Sequence, residues 1–231
     1  YRVLTLKRGH VLLVGVGGSG RHSLTRLCAY LAHMNCDQLE IRKDFGLKDF
    51  RTKLKELYEL SAFKGKWHLK TVFIFSDNDV VKESFLEDIQ NTLNSGIVPN
   101  LYTNEELSRI REEGIIGKKY KEAGNTNESP DAINEWFFNR VKDNLHLSIC
   151  MSPVGETIKS YFRQYPALIN NTTIDWFMAW PEEALIEVAH KFLNNIDLPE
   201  EKRTGLANLC GFTHATTQKE ALRMEKELKR V

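Results

Sequence analysis

Nine residues near the start of the chain restrict it more than any others: Gly15-Val16-Gly17-Gly18-Ser19-Gly20-Arg21-His22-Ser23. The apolar run Val11-Leu12-Leu13-Val14 leads into this segment and reads as a buried parallel strand. A helix is expected over residues 23–34, with Leu24, Leu27, Cys28 and Leu31 on one face. Between a strand and a helix, such a loop turns successive backbone N–H groups inward, and the helix N-terminus adds partial positive charge. The result is a cradle for phosphate. Glycine is needed where the backbone takes a positive φ or approaches the phosphate closely. The plain alternative is a tight turn without a ligand, and four glycines within six residues argue against it.

Two motifs fit the same residues. Gly15-x-x-x-x-Gly20 followed by a basic residue is the P-loop pattern. Arg21 stands where Lys is usual, and His22 where a Ser or Thr would hold Mg²⁺, with Ser23 one place later. Arg21 can neutralise phosphate charge, but as a planar fork rather than a compact ammonium. His22 is a poor Mg²⁺ ligand, because that ion prefers oxygen. Gly15-x-Gly17-x-x-Gly20 is also the dinucleotide fingerprint, and Glu40, at the end of a second strand expected over 38–41, stands where a ribose-binding acid would lie. A nicotinamide-dependent oxidoreductase would use that pattern, although no catalytic His or Lys constellation accompanies it. The third strand, Thr71 to Phe75, favours the P-loop. P-loop enzymes place acids after such a strand, one for Mg²⁺ and one for the attacking water. Here Ser76 takes the metal position and Asp77 the catalytic one; shifted by one, Asp77 serves Mg²⁺ and Asn78 follows. Neither register supplies both acids. A solvated strand-to-helix turn is the other reading of Asp77 and Asp79.

The rest of the chain alternates in type. Helices are expected over 47–60, with Gly65 and Lys66 in the turn after it, over 84–93, stopped by Asn94-Ser95-Gly96, over 132–142 and over 156–162. Strands are expected over 145–151 and within 172–177, and residues 101–130 read as a mobile polar surface excursion. The alternation implies an α/β domain with a mostly parallel sheet. From Pro181 the strand signals stop, and Pro181 and Pro199 each open a helix. In the last segment, 217–231, Ala221, Met224, Leu228 and Val231 form an a/d seam. That seam begins a coiled coil or packs one amphipathic helix on the domain. A length of 231 residues accommodates a large domain with a small satellite. With 32 Lys+Arg against 31 Asp+Glu, nothing supports nucleic acid or an anionic membrane as a main partner. The four cysteines lack metal-ligand spacing and read as reduced thiols of a cytosolic protein. No apolar run reaches the ~18 residues of a membrane span. There is no signal peptide and no initiator Met, and both ends read as cuts in a longer polypeptide.

Three stretches carry a more specific likeness: GHVLLVGVGGSGRHSLTRL, TVFIFSDNDVVKESFLEDIQNTLNSGIVPNLY and LHLSICMSPVGETIKSYFRQYPALINNTTIDWF. They resemble the fourth AAA+ module of axonemal dynein heavy chains, over residues 9 to about 200. The resemblance implies a P-loop AAA+ three-layer fold with a parallel five-stranded sheet of order 5-1-4-3-2. A small helical subdomain would follow, with the division at 1–180 and 181–231. It implies one module of six in a ring, within an ATP-driven microtubule motor of cilia and flagella. The first module does the main hydrolysis there, and the others that bind nucleotide are mostly regulatory. The implied partners are the neighbouring modules, the microtubule through a stalk that leaves after this module, and dynein intermediate and light chains in the complex. The implied location is the cytoplasm and cytoskeleton, in the axoneme. The implied ligands are ADP or ATP, with Mg²⁺ held by Ser23 and Asp77. By position, Gly15, Val16, Gly17, Gly18, Ser19, Gly20, Arg21, His22 and Ser23 are the phosphate loop. Ser76 and Asp77 take the acid positions, Ser152 the sensor position, and Arg163 that of an arginine reaching the preceding module's nucleotide in trans. Read without the resemblance, Arg163 is a helix-end cation facing the C-terminal dipole. The stretch between Phe212 and a final helix is shorter than the family pattern, so no second-sensor residue is assigned. Weak or absent hydrolysis is the leading expectation; an active ATPase and a ligand-free scaffold are the rivals.

Overall fold

The computed structural model describes residues 1–64, 69–112, 115–125, 129–153 and 157–228. The expected turn at Gly65 and Lys66, the helix start at 156 and the last seam residue, Val231, lie outside these. The chain divides into two compact units, Tyr1–Phe177 and Met178–Val231.

The first unit is built on five parallel strands: β1 (Val11–Gly15), β2 (Asn35–Gln38), β3 (Thr71–Ser76), β4 (Leu145–Met151) and β5 (Thr173–Phe177). Their order is β2-β3-β4-β1-β5, which is the expected 5-1-4-3-2 read from the other edge. The central strands are buried on both faces, so β1 and β3 read as nearly continuous apolar runs, while β4 also buries the polar His146 and Ser148. Successive residues still point to opposite faces. Val11, Leu13, Val72 and Ile74 join a small core with Leu4 of α1 (Arg2–Thr5) and Ala29 of α2 (Arg21–Leu31). Leu12, Val14, Phe73, Phe75, Leu147 and Ile149 join a larger one on the other face. That face is covered by α3 (Leu47–Glu59), α4 (Ser84–Asn94), α5 (Asn104–Glu112), α6 (Ile115–Glu122), α7 (Pro130–Asn144), α8 (Thr157–Gln164) and α9 (Ala167–Asn170). Phe50 of α3 stacks on Phe85 of α4 at 4.3 Å between centroids. Beside them Arg51 makes a fork to Asp88, at 2.9 and 3.1 Å.

Four expectations need correction. The second strand is Asn35–Gln38, three residues earlier than read. Edge position lets it carry polar side chains, and the apolar Leu39 that suggested a later strand enters the core from the loop. The helix after the glycine loop starts earlier, at Arg21, and does not bury the Leu24-Leu27-Leu31 face, which is exposed. Thr25 and Ala29 are buried instead, because small side chains let the helix lie close over the sheet; Thr25 Oγ1 is 3.0 Å from Ser148 Oγ of β4. Residues 101–130 hold two helices, α5 and α6, and bury Ile116 and Tyr120. Their polar content marks only the outer face of each helix.

The second unit consists of α10 (Glu182–Leu193), which follows Pro181 as N-cap, and α11 (Glu200–Leu228), which follows Pro199. The fourth correction lies here: α11 is continuous through Phe212, so there is no separate final helix. The two helices pack on each other, closely enough at Gly211 that a Cβ would stand 2.7 Å from Ile186 Cγ1. Ala221 and Met224 of the expected seam are exposed. Among the described residues, no helix is long and apolar enough to cross a membrane.

Candidate functional site

The carboxyl end of β1 delivers the glycine loop to the start of α2. Gly20 is the N-cap of α2 and has φ 87°, and Gly18 has φ 76°. Both lie in the left-handed region that costs an L side chain roughly 1–2 kcal/mol. Gly15 is required for a different reason: a Cβ there would meet Phe177 Cβ at 2.7 Å and Ser19 Oγ at 2.9 Å. β5 and the loop close on it from two sides. The loop, with Ser76, Asp77 and Asn78 opposite, lines a cavity of about 320 Å³. Gly17, Gly18, Ser19, Gly20, Arg21, His22 and Ser23 form the loop-side wall. Gly15, Val16, Ser152 and Arg163 are not among the lining residues, and Ser152 donates its backbone N–H to Asp77, which is. Arg163 is exposed in the last turn of α8.

Three bonded pairs organise the site. Arg21 Nη1 donates to Met151 O at 2.6 Å and Nη2 to Val16 O at 3.4 Å, tying the loop to the end of β4. Asp77 accepts the N–H of Asn78 on Oδ1 (3.1 Å) and of Ser152 on Oδ2 (2.8 Å). Asp79 Oδ2 accepts Ser76 N–H at 2.7 Å and Ser76 Oγ–H at 2.8 Å, a capping box over the short 3-10 turn Asp77–Asp79. Asp79 is therefore buried and committed, which corrects its reading as a solvated turn residue. Burial raises its pKa, and the two Ser76 bonds oppose the rise. The pattern Ser76-x-x-Asp79 is visible in the sequence and could have shown this pairing. The Arg21–Met151 bond has no sequence signal, since its acceptor is a backbone carbonyl on a strand 130 residues away. His22 is held below its usual pKa by burial first and then by the Arg21 charge, with Asp79 and Asp77 opposing. At the end of β4, burial pushes the Cys150 thiol up to about 11.

A phosphate chain fits this cavity. The space beyond Gly17 and Gly18 is clear, with nothing within 4 Å of a Cβ built on either. Ser19 Oγ is buried in the loop without a hydrogen-bond partner. Mg²⁺ fits less well: Asp77, the one acid on the cavity wall among the described residues, already accepts two N–H groups, and Ser23 stands one residue past the expected position. A larger cavity, about 690 Å³, opens at the end of β2 and is lined by Asp37, Glu40, Lys53 and other charged groups. Glu40 lines this cavity and not the one at the glycine loop, which gives its ribose-binding reading no support.

A glycine loop leaving a central parallel strand, opening a helix and facing an acid at the end of the strand next but one defines a P-loop nucleotide-binding protein of the AAA+ type. The chain belongs to the family described as P-loop containing dynein motor region D4, whose model matches residues 1–231. It is 42% identical over 231 residues to the Dynein-1-beta heavy chain of the flagellar inner arm I1 complex of Chlamydomonas reinhardtii, covering 100% of this chain. It is 39% identical to human dynein axonemal heavy chain 6 and 40% identical to mouse dynein axonemal heavy chain 2, each over 99% of this chain. The chain spans about 5% of the length of each of these relatives. Membership of this family implies nucleotide binding in general.

Proposed function

We propose that this chain is the fourth AAA+ module of an axonemal dynein heavy chain, binding ADP or ATP and hydrolysing it slowly or not at all. In this reading the first unit is the large nucleotide-binding subdomain and the second the small helical one. The exposed end of α11 leads toward the stalk. The partners are the neighbouring modules, the microtubule through that stalk, and intermediate and light chains in the complex; the place of action is the axoneme. The phosphate loop holds the diphosphate through its backbone N–H groups, Arg21 and the α2 N-terminus. Arg163, exposed on α8, is available to a preceding module's nucleotide.

The observation that carries weak hydrolysis is the state of Asp77. It is the one acid on the cavity wall among the described residues, and both its oxygens accept backbone N–H groups. It holds Ser152, at the end of β4, in place rather than facing an attacking water. Losing a general base costs ~10²–10⁴ in rate. Denaturing the purified chain and chromatographing what is released tests binding; ADP or ATP near one equivalent is expected. For hydrolysis, the natural sequence is compared with Arg21→Lys/His22→Thr/Ser76→Asp/Asp77→Glu in a heavy chain whose other nucleotide-binding modules are blocked. Equal turnover by the two would make this an active ATPase module and refute the regulatory reading.

A further inference from the structure

We propose that this loop binds the diphosphate of its nucleotide without a divalent cation, the Arg21 guanidinium supplying the positive charge that a metal brings elsewhere. The inference rests on the nucleotide-binding reading above and deepens it.

Each place from which a P-loop protein presents oxygen to Mg²⁺ is otherwise engaged here. At the end of β3, Ser76 turns its hydroxyl away into the bond with Asp79 Oδ2, and buried Asp79 is held by the same pair of bonds. Asp77 fastens the end of β4 through Ser152 N–H and its own turn through Asn78 N–H. A metal drawing on it would compete with two backbone bonds. At the start of α2 the expected hydroxyl is an imidazole, His22, a nitrogen donor that Mg²⁺ disfavours. Ser23 does not replace it, because the next residue on a helix points about 100° further round the axis.

Arg21 has the opposite character. Its charge is permanent, and it stands at the loop-side wall beside the first turn of α2. Its two ends hold neutral acceptors, Met151 O and Val16 O. A phosphate oxygen forms a charge-assisted bond about twice as strong as one to a neutral carbonyl. The planar fork matches two phosphate oxygens at once. The incoming diphosphate therefore displaces the carbonyls, and Arg21 is a binding residue rather than a structural tie alone.

The test is calorimetric titration of the intact chain with ADP, once in EDTA and once in millimolar Mg²⁺. Equal dissociation constants, within about twofold, are expected. Binding that weakens tenfold or more in EDTA would overturn the inference and leave the nucleotide-binding reading standing. No binding in either condition would overturn both. In EDTA, Arg21→Gln is expected to bind about tenfold or more weakly, the loss of a hydrogen bond to a charged group. Undiminished affinity of a folded Arg21→Gln would refute the role of Arg21. Should that variant melt early, the salt dependence of ADP binding by the unaltered chain in EDTA decides instead. Affinity that falls as salt rises is expected, and salt-independent binding refutes charge supplied by the protein.

Discussion

Lowering the pH should unfold this protein through two histidines far from the glycine loop. His10 precedes β1 and His146 lies in the neighbouring β4; both are buried. His10 Nδ1 accepts the N–H of Leu147 at 3.1 Å, and His146 Nδ1–H donates to Gly9 O at 2.8 Å. Burial first, then the charges of His146 and Lys142, push the His10 pKa from 6.5 down to about 4. His146 is lowered too, by burial first and by Lys70, with the Gly9 bond opposing. A base with a depressed folded pKa is protonated first in the unfolded chain. Its contribution is therefore complete above pH 6.5 and is lost as pH falls from there toward 4. For His10 alone a pKa of about 4 against 6.5 corresponds to about 3 kcal/mol, of which about 2 kcal/mol is gone by pH 5. Urea unfolding between pH 8 and pH 5 measures this, with His10→Asn as the comparison. The Asn amide oxygen can replace Nδ1 as acceptor for Leu147 N–H but does not titrate. The natural sequence should lose about 2 kcal/mol more than His10→Asn across that range. Parallel losses, within ~0.5 kcal/mol, would refute the argument.

Two further substitutions test packing and the loop. Arg51→Ala leaves the buried Asp88 carboxylate without its fork and should cost about 3 kcal/mol, read as a shift of the urea midpoint at pH 7. Gly15→Ala drives a Cβ against Phe177 and Ser19 and should cost about 1–3 kcal/mol together with ADP affinity. Gly17→Ala, which meets nothing within 4 Å, should leave stability within ~0.5 kcal/mol, so equal melting losses by the two would contradict the geometry of the loop.

The pieces that were legible in the sequence are those whose signal is local. β1, β3 and β4 are fully buried; β1 and β3 carry apolar runs, and β4 is apolar except at His146 and Ser148. The glycine loop announces itself because the positive φ of Gly18 and Gly20 and the close approach at Gly15 each demand glycine in place. β2 was misplaced because an edge strand is held by backbone bonds and needs no apolar pattern, while Leu39 beside it supplied a misleading one. Helix α2 was assigned the wrong buried face because its direction is set by the loop it leaves. Hydrophobic periodicity then identifies a face without saying what covers it.

By itself, the sequence determined the alternation of strands and helices, the place of the phosphate loop and the likeness to dynein heavy chains that the family match bears out. Those follow from backbone sterics and short-range pattern, which act over a few residues. Tertiary structure alone decided how the site's side chains are engaged. Asp77 is bonded to Ser152, Arg21 to Met151, and His10 lies beside His146, all across 75 residues or more. No local rule relates such residues; parallel strands brought side by side do, and the backbone groups at their ends become the partners that set the chemistry.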